Sequence, residues 1–495
     1  MHMIGFLCLW GGICCMEASY CQSSLGEEQL PIIMQIEGPI AHRVYQRNRS
    51  EKADIPYTLR MTEPLSGHVE VRLGAAGSNG EGTACRIVGD IRHVDEFEGV
   101  ITGVPVGRYS LQFRIIDSVS GGLITQAIVE PVFVGDLWIL AGQSNMQGCG
   151  TLVNVEESQE GVSCLYLDDR WGIAEDPLCW YYEAVDPVHW SLPVEQLKEA
   201  AIKERQTRTR GAGLSIPFGK ELLRNTGVPV GLIVCAHGGT SMTQWDPDLL
   251  DQEGHSLYGS MVRRVRAAGG KVKGCIWYQG ENDANSEHGP KYAQRMKRFL
   301  LRLREDLREP KLPFIYAQLS IFHSWDKQYE SWWDNVQHEQ FRLEEELAPC
   351  ALIATADASL CDPIHLDADS LKEIGKRFAW QALRIAHGTQ HVTGPRPCTF
   401  QWNADRTELT IGLTGMNGSM QQVDRVFGFQ MELAECIWKP VEARLSEERK
   451  AIYLRFDETI SVDAMLRYGA GYYPALNLRD DWGIPLPLFG PLYVV

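Results

Sequence analysis

A serine stands at the end of a predicted strand, in the pentapeptide Gly142-Gln143-Ser144-Asn145-Met146. The preceding run, Leu137–Ala141, is apolar and fits a buried strand. A serine in a tight turn at a strand end is held exposed, and nearby backbone N–H groups are free to bind an anion. Ser144 is therefore a candidate nucleophile, although a serine can also simply hydrogen-bond such a turn. The chain has no G-x-S-x-G motif, which argues against the usual α/β-hydrolase arrangement.

A histidine that could serve as the base lies in Asp362-Pro363-Ile364-His365, just before the last predicted helix. A nucleophilic serine needs a base, and the base needs a group that orients it. A spacing of three residues in a turn lets the Asp362 carboxylate reach Nδ1 of His365 and leaves Nε2 facing outward. The alternative is an aspartate that helps to start a helix beside a surface histidine, because D-x-x-H is a common string.

Two further strand ends carry groups that could stabilise negative charge. Gly238 and Gly239 follow the run Val230–Ala236, and glycine allows the backbone to approach a substrate closely and direct an N–H at it. Asn282 follows the run Gly274–Tyr278, and its side-chain amide is a second donor. Each segment could equally be an ordinary turn.

The elements that must position these residues read as alternating strands and helices over residues 134–388. The strand candidates are Leu137–Ala141, Val230–Ala236, Gly274–Tyr278, Pro313–Leu319 and Ala351–Ala356. The helical candidates are Lys291–Leu307, Tyr329–Leu347 and Leu371–Ile385, the last one capped by Asp369 or Ser370. This alternation predicts a parallel sheet covered on both faces, and ligands bind at the carboxyl ends of such strands.

The regions on either side read as β structure. Residues 30–133 contain short alternating runs at Tyr57–Met61, His68–Leu73 and Tyr109–Ile115, and no helical pattern intervenes. Residues 391–495 contain similar runs at Glu408–Leu413, Ala451–Phe456 and Met465–Tyr468. We expect a β-sandwich domain on each side of the α/β domain.

The order of the four motifs, Ser, Gly, Asn and Asp-x-x-His, resembles the block pattern of the SGNH hydrolases. The fuller strings resemble sialate O-acetylesterases and related carbohydrate acetylesterases. These strings are Gly142–Met146, Gly238-Gly239-Thr240 with Trp245, Trp277–Asn282, and Asp362–His365. The resemblance covers about 134–388 and implies a flavodoxin-like parallel-sheet hydrolase domain.

The resemblance also implies roles for individual residues. Ser144 would be the nucleophile, with Asp362 and His365 as its activating pair. The oxyanion hole would comprise the N–H groups of Ser144 and of Gly239 or Gly238, together with Asn282. The sugar end would be lined by Gln143, Trp245, Gln279 and Glu281.

The expected reaction is removal of an acetyl group from a sugar through an acetyl-enzyme, with no metal and no organic cofactor. O-acetylated sialic acid is the default substrate from the resemblance. Acetylated xylan or another plant or algal glycan is the alternative. A non-catalytic sugar-binding protein is a second class of function. A glycosidase that uses Glu281 and Asp283 is disfavoured, because residues two apart seldom face each other across a substrate.

Composition limits the remaining classes. The 495 residues include 47 Lys and Arg against 64 Asp and Glu, a net charge of −17, which disfavours nucleic-acid binding. The run Met3–Met16 is apolar but too short to span a bilayer, so residues 1–22 are expected to be a cleaved export signal. We therefore expect an exported protein (periplasmic, secreted or lysosomal) with no stable membrane insertion.

Overall fold

The computed structural model describes residues 32–75, 85–391, 393–434 and 437–494. The expected export signal, residues 1–22, lies outside the described residues. Within the ranges that are described, no helix is both long enough and apolar enough to cross a membrane.

A mainly antiparallel sheet forms most of the N-terminal region. Its strands are β1 (Met34–Gly38), β2 (Val44–Gln46), β3 (Lys52–Ala75), β4 (Cys85–Pro105), β5 (Gly107–Ile116) and β6 (Leu123–Gly142), and β2 pairs in parallel with β6. β4 pairs along one edge of β3, while β1 and β5 pair along the other. Apolar side chains at alternate positions of β3, such as Ile55, Tyr57 and Leu59, are buried in a core that belongs to this region.

The prediction of separate strands at Tyr57–Met61 and His68–Leu73 is wrong in one respect, because both segments lie in β3, a single strand of 24 residues. The register of β3 against β4 shifts between Arg60 and Leu65 and again by Gly67. Such irregularities bend a strand without ending it. Alternation in the sequence therefore identified the strand residues but not their continuity.

β6 joins the N-terminal region to the α/β region. Its first half pairs antiparallel with β5 and alternates in burial, whereas its second half is buried throughout. That second half pairs in parallel with β11 (Val230–Val234) and β12 (Gly274–Tyr278). A central strand of a covered parallel sheet is buried on both faces, which explains the change of pattern within one strand.

The parallel sheet of the α/β region has the order β9-β8-β11-β6-β12-β13-β14, and only the β8–β9 pairing is antiparallel. The remaining strands are β7 (Gly150–Thr151), β8 (Val162–Leu165), β9 (Trp171–Ile173), β10 (Arg210–Ala212), β13 (Phe314–Ala317) and β14 (Cys350–Ile353). The helices are α1 (Ser144–Gln147), α2 (Val194–Thr207), α3 (Ser215–Thr226), α4 (Leu257–Ala267), α5 (Tyr292–Asp306), α6 (Glu330–Glu346) and α7 (Ala368–His387). Every residue of β11 to β14 is buried, so both faces of the sheet are covered.

The cap of α7 differs from the expectation. Asp367, and not Asp369 or Ser370, caps the helix, because its side chain accepts a hydrogen bond from the Ser370 N–H (2.8 Å). Asp367 has extended backbone angles, whereas the two expected residues already belong to the helix. The helix therefore begins very soon after His365, which keeps the turn that carries this histidine short.

Two antiparallel sheets of four strands form the C-terminal region. One has the order β15-β16-β20-β19, and the other has the order β18-β17-β21-β22. The strands are β15 (Arg396–Trp402), β16 (Glu408–Thr414), β17 (Phe429–Ala434), β18 (Ile437–Pro440), β19 (Glu442–Leu445), β20 (Ala451–Arg455), β21 (Met465–Tyr468) and β22 (Phe489–Tyr493). Buried side chains from both sheets, among them Ile411 and Leu466, share one core.

Candidate active site

The end of β6 brings Ser144 to the edge of the parallel sheet. A Cβ atom at Gly142 would lie 2.2 Å from the Tyr278 carbonyl oxygen, so β6 and β12 approach each other here as only glycine allows. Ser144 then begins the short helix α1, whose Met146 and Gln147 N–H groups donate to the Gln143 carbonyl oxygen. These hydrogen bonds hold the turn in place. The Ser144 N–H lies at the N-terminal end of α1, where the N–H groups of a helix have no partner within the helix.

Ser144, His365 and Asp362 form one hydrogen-bonded chain. His365 Nε2 lies 2.9 Å from Ser144 Oγ, although 221 residues separate the two in sequence. His365 Nδ1 lies 2.8 Å from Asp362 Oδ2. The His365 and Asp362 side chains are 22% and 21% exposed, so the chain is open to solvent on one side. This arrangement can remove a proton from the serine and return it to a leaving group.

Asp362 accepts hydrogen bonds at both carboxylate oxygens. Oδ1 accepts from the N–H groups of Ile364 (2.9 Å) and His365 (2.8 Å). Oδ2 accepts from the His365 ring and from Arg210 Nη1 (2.6 Å). Burial acts to raise the pKa of Asp362, but these donors outweigh it and hold the pKa well below its usual range. Asp362 is therefore ionised and fixed in place beside the histidine.

Arg210 was missed in the sequence, where no motif marks it. It lies on β10, and β10 pairs with β7, the short strand that follows α1 in the chain. The hydrogen bond to Asp362 raises the pKa of Arg210, so the guanidinium keeps its charge. Arg210 orients Asp362 and contacts neither Ser144 nor His365.

Asn145 connects the segment of Ser144 to the turn that carries His365. Its side-chain nitrogen donates to Glu281 Oε1 (2.8 Å), and its side-chain oxygen accepts from the Leu366 N–H (3.1 Å). Burial raises the pKa of Glu281. Glu281 is 8% exposed and is buried against Asn145. It therefore supports the site, contrary to the expectation that it lines an open sugar subsite.

The glycine loop after β11 offers one free donor, not two. The Gly238 N–H donates to the Tyr181 hydroxyl (2.9 Å), so the assignment of Gly238 to the oxyanion hole is wrong in this structure. Gly239 has φ +70°, and no described protein group accepts a hydrogen bond from its N–H. The Asn282 amide nitrogen donates to the Gly239 carbonyl oxygen (2.9 Å), which leaves its second N–H available.

Tyr181 belongs to a partly buried aromatic cluster that supports this loop and that the sequence did not reveal. Its ring stacks on His237 at 4.4 Å, and His237 Nδ1 lies 3.0 Å from His189 Nδ1. Burial lowers the pKa of His237 to about 4 and also lowers the pKa of His189. Both imidazoles are therefore neutral at pH 7, where one ring can donate to the other.

Three residues assigned to the sugar end are buried. Trp245 is fully buried, with its ring edge against Trp277 and its N–H on the Thr240 hydroxyl (3.0 Å). Gln279 is also fully buried, and donates to Asp283 Oδ2 (2.6 Å) and to the Thr240 carbonyl oxygen.

Gln143 is 1% exposed, and its amide faces the same Thr240 carbonyl oxygen (3.1 Å). In this structure these three side chains hold the site loops together and are not exposed at the surface of the site. Asp283 is also fully buried, which leaves the glycosidase alternative without an accessible pair of carboxylates.

Comparison with known proteins agrees with the fold. The model of the family described as carbohydrate esterase, sialic acid-specific acetylesterase matches residues 134–384, more than half of the chain. A probable carbohydrate esterase of Arabidopsis thaliana is 28% identical over 272 residues, which is 52% of this chain and 96% of the relative.

The crystal structure of a carbohydrate acetylesterase from Xanthomonas citri covers 91% of this chain and 97% of that chain, with a TM-score of 0.63 and 21% identity. This last likeness supports the α/β architecture together with its β-rich regions. The family match covers the segment that contains all four motifs, and the chain therefore belongs to the carbohydrate esterase family of sialic acid-specific acetylesterases.

Proposed function

We propose that the protein is a carbohydrate O-acetylesterase in which Ser144 is the nucleophile, His365 the base and Asp362 the residue that orients the base. The observation that carries this proposal is the continuous hydrogen bonding from Ser144 Oγ through the His365 ring to Asp362, at 2.9 and 2.8 Å. The order of the strand ends that bring these groups together supports an SGNH arrangement.

In the first step, Ser144 Oγ attacks the acetyl carbonyl carbon while His365 Nε2 takes the serine proton. The resulting oxyanion is stabilised by the N–H groups of Ser144 and Gly239 and by the Asn282 amide. The bond between the carbonyl carbon and the sugar oxygen then breaks, and the sugar leaves with the proton from His365.

In the second step, water attacks the acetyl-enzyme and His365 takes a proton from it. Collapse of the second tetrahedral intermediate releases acetate and returns the proton to Ser144. Asp362 stays ionised throughout, because its pKa is held well below the usual range. No step requires a metal ion or an organic cofactor.

The family description names sialic acid, so O-acetylated sialic acid is the first substrate class to test, and acetylated xylan and other plant or algal glycans are the second. We also propose export of the protein, and a division into flanking β domains at 30–133 and 391–495 around an esterase domain at 134–388. The continuity of β6 across residues 123–142 means that the first two units share a strand.

The test is replacement of the nucleophile. Ser144→Ala should keep the far-UV circular dichroism spectrum and lose acetate release from 4-nitrophenyl acetate, and a fluorophosphonate probe should label the wild type but not the variant. Ser50→Ala, at an exposed serine in the N-terminal region, is the matched control and should behave as the wild type. Hydrolysis retained at the wild-type rate in Ser144→Ala would falsify the proposal.

A further inference from the structure

A groove with two lobes begins beside the turn that carries His365 and follows the contact between the α/β region and the C-terminal region. The first lobe has a volume of about 690 Å³ and is lined by Asp362 and Pro363 together with the segment 473–479. The second lobe has a volume of about 850 Å³ and includes Trp325 and Arg467. His323, Pro363 and Tyr473 line both lobes.

Exposed aromatic rings stand along this groove. Trp325 is fully exposed, Tyr473 is 65% exposed, and the His323 ring packs edge-on against Tyr473 at 4.6 Å. A single exposed aromatic residue is ordinary, but several around one cleft beside a reaction centre are typical of a ligand site. The flat apolar face of such a ring suits the C–H face of a pyranose.

The backbone that carries these rings is anchored on both sides. The His323 N–H donates to the Pro363 carbonyl oxygen, and the Phe322 N–H donates to the Tyr472 carbonyl oxygen, both at 2.8 Å. The Phe322 ring also stacks on Trp333 at 4.9 Å. The loop is thus tied both to the turn that carries His365 and to the C-terminal region, so the backbone from which the rings project stands at a defined place relative to the proposed nucleophile.

The charges of the groove do not favour an anion. Each cationic side chain that lines it has a carboxylate nearby. These pairs are Lys327 with Glu330 (3.2 Å), Arg479 with Asp357 (3.6 Å), which Arg377 also contacts (2.7 Å), and Arg467 with Asp334. Recognition of a carboxylate in proteins typically uses a guanidinium that is free to pair with it. The lining residues include these three cationic side chains and four carboxylates (Glu330, Asp334, Asp357 and Asp362), and the chain as a whole carries −17.

We propose that this groove binds a neutral O-acetylated glycan chain of several sugar residues, whose pyranose rings stack on Tyr473 and Trp325 while an acetyl group reaches Ser144. The inference rests on the proposed function and specifies its substrate class. It assigns to the C-terminal region a direct part in choosing the substrate. Free sialic acid carries a carboxylate, which the charges of the groove do not favour. It is also a single sugar residue and would not extend along both lobes.

The experiment compares three substrates: partly O-acetylated xylohexaose, 9-O-acetyl-N-acetylneuraminic acid and 4-nitrophenyl acetate. The wild type should prefer the hexasaccharide to the sialic acid in kcat/KM. In Trp325→Ala and Tyr473→Ala, the ratio of kcat/KM for the hexasaccharide to that for the aryl acetate should fall about tenfold, which corresponds to about 1.4 kcal/mol. The lower kcat/KM for the hexasaccharide should come from an increase in KM.

Tyr493→Ala is the matched control, since Tyr493 is equally exposed (65%) but lies on β22 and lines neither lobe. An unchanged ratio in both groove variants, or a wild type that prefers the acetylated sialic acid, overturns the inference while leaving esterase activity intact. Loss of the proposed function appears differently, as a wild type that hydrolyses none of the three substrates.

Discussion

The N-terminal and C-terminal regions are both mainly antiparallel β structure with similar sequence patterns. They nevertheless meet opposite sides of the parallel sheet, one where the amino ends of its strands lie (the amino edge) and the other where the carboxyl ends lie (the carboxyl edge). The N-terminal region enters through the first half of β6 and therefore lies at the amino ends of the parallel strands. The C-terminal region contacts the segments after β13 and β14, at the carboxyl ends. There the buried Gln318 side chain exchanges two hydrogen bonds with the backbone of Leu488.

This difference determines what each region can do. The candidate catalytic groups follow the carboxyl ends of strands, so of the two β regions only the C-terminal region is placed to form a wall of the proposed substrate groove. The N-terminal region is joined instead through a buried ion pair, in which Arg47 contacts both carboxylate oxygens of Asp136 at 2.9 and 2.8 Å. We therefore expect changes at the amino edge to affect stability and changes at the carboxyl edge to affect activity or substrate binding.

The largest expected effect is on stability at the amino edge. Arg47→Met leaves the Asp136 carboxylate buried without its partner, and breaking such a pair typically costs about 3–5 kcal/mol of unfolding free energy. Urea unfolding should show this loss, while kcat/KM for 4-nitrophenyl acetate below the transition should equal that of the wild type. Arg49→Met, at an exposed arginine, should change neither quantity. A fall in kcat/KM of the folded Arg47→Met variant would contradict the comparison.

The next effect is catalytic and lies at the carboxyl edge. Asn282→Ala removes an expected donor to the oxyanion, which typically raises the barrier by about 2.7–4 kcal/mol, a loss of 10²–10³ in kcat. Asn282→Asp keeps the size of the side chain but not the donor, and should lose as much. Unfolding free energies of both variants should stay near that of the wild type, because Asn282 is exposed. Wild-type kcat in either variant would remove Asn282 from the oxyanion hole.

A smaller effect is expected where the C-terminal region is anchored. Gln318→Met leaves the Leu488 N–H and carbonyl groups without their side-chain partner, at a cost of about 1–3 kcal/mol. Unlike Arg47→Met, this variant should also raise KM for an acetylated hexasaccharide, because the wall of the groove loses a contact. Gln422→Met, at an exposed position, is the control. If KM does not change in Gln318→Met, the C-terminal region holds its place by other contacts.

The last effect, the smallest when counted for each histidine and each pH unit, is on the pH dependence of stability, and both edges should contribute. Burial lowers the pKa of both His387 and His338 from the ordinary 6.5 to about 4. His387 lies near Asp136, and His338 accepts a hydrogen bond from the Gly490 N–H. Between pH 4 and 6.5 the unfolded chain binds a proton at each site that the folded protein does not, so stability falls as the pH falls through this window.

Each histidine should contribute a slope of about 1.4 kcal/mol per pH unit within that window. His387→Gln and His338→Gln should each flatten the pH dependence of the unfolding free energy measured between pH 4.5 and 6.5. An unchanged slope in one variant would show that the histidine at that edge does not contribute to the acid sensitivity.

Much of the site follows from local sequence. Strand ends are marked by apolar runs followed by glycine or a short polar residue, and Asp362 and His365 are close enough in the chain to meet in one turn. The four motifs were therefore recognisable before their distances were known, and membership of the family is confirmed. The boundaries of α5 and α6 were also correct to about one residue, because their apolar periodicity is regular.

The residues that support the site could not be predicted in the same way. Arg210 meets Asp362 across 152 residues, and Tyr181 meets Gly238 across 57. Neither carries a local signal, because an arginine in a short strand or a tyrosine near an apolar run has many ordinary roles. The burial of Trp245 and Gln279 was also hidden, since a side chain that lines a site and one that packs beneath it have the same neighbours in sequence.

The sequence by itself determined which segments form the parallel strands beside the site, where those strands end, and which polar residues stand at the ends, because periodicity and turn residues act over a few positions. Only the tertiary structure decided which of those residues reach the surface, which N–H group stays free, and which β region meets the carboxyl edge. These properties depend on contacts between segments far apart in the chain, and hydrogen bonds such as that from Gly238 to Tyr181 exist only once the fold brings both groups together.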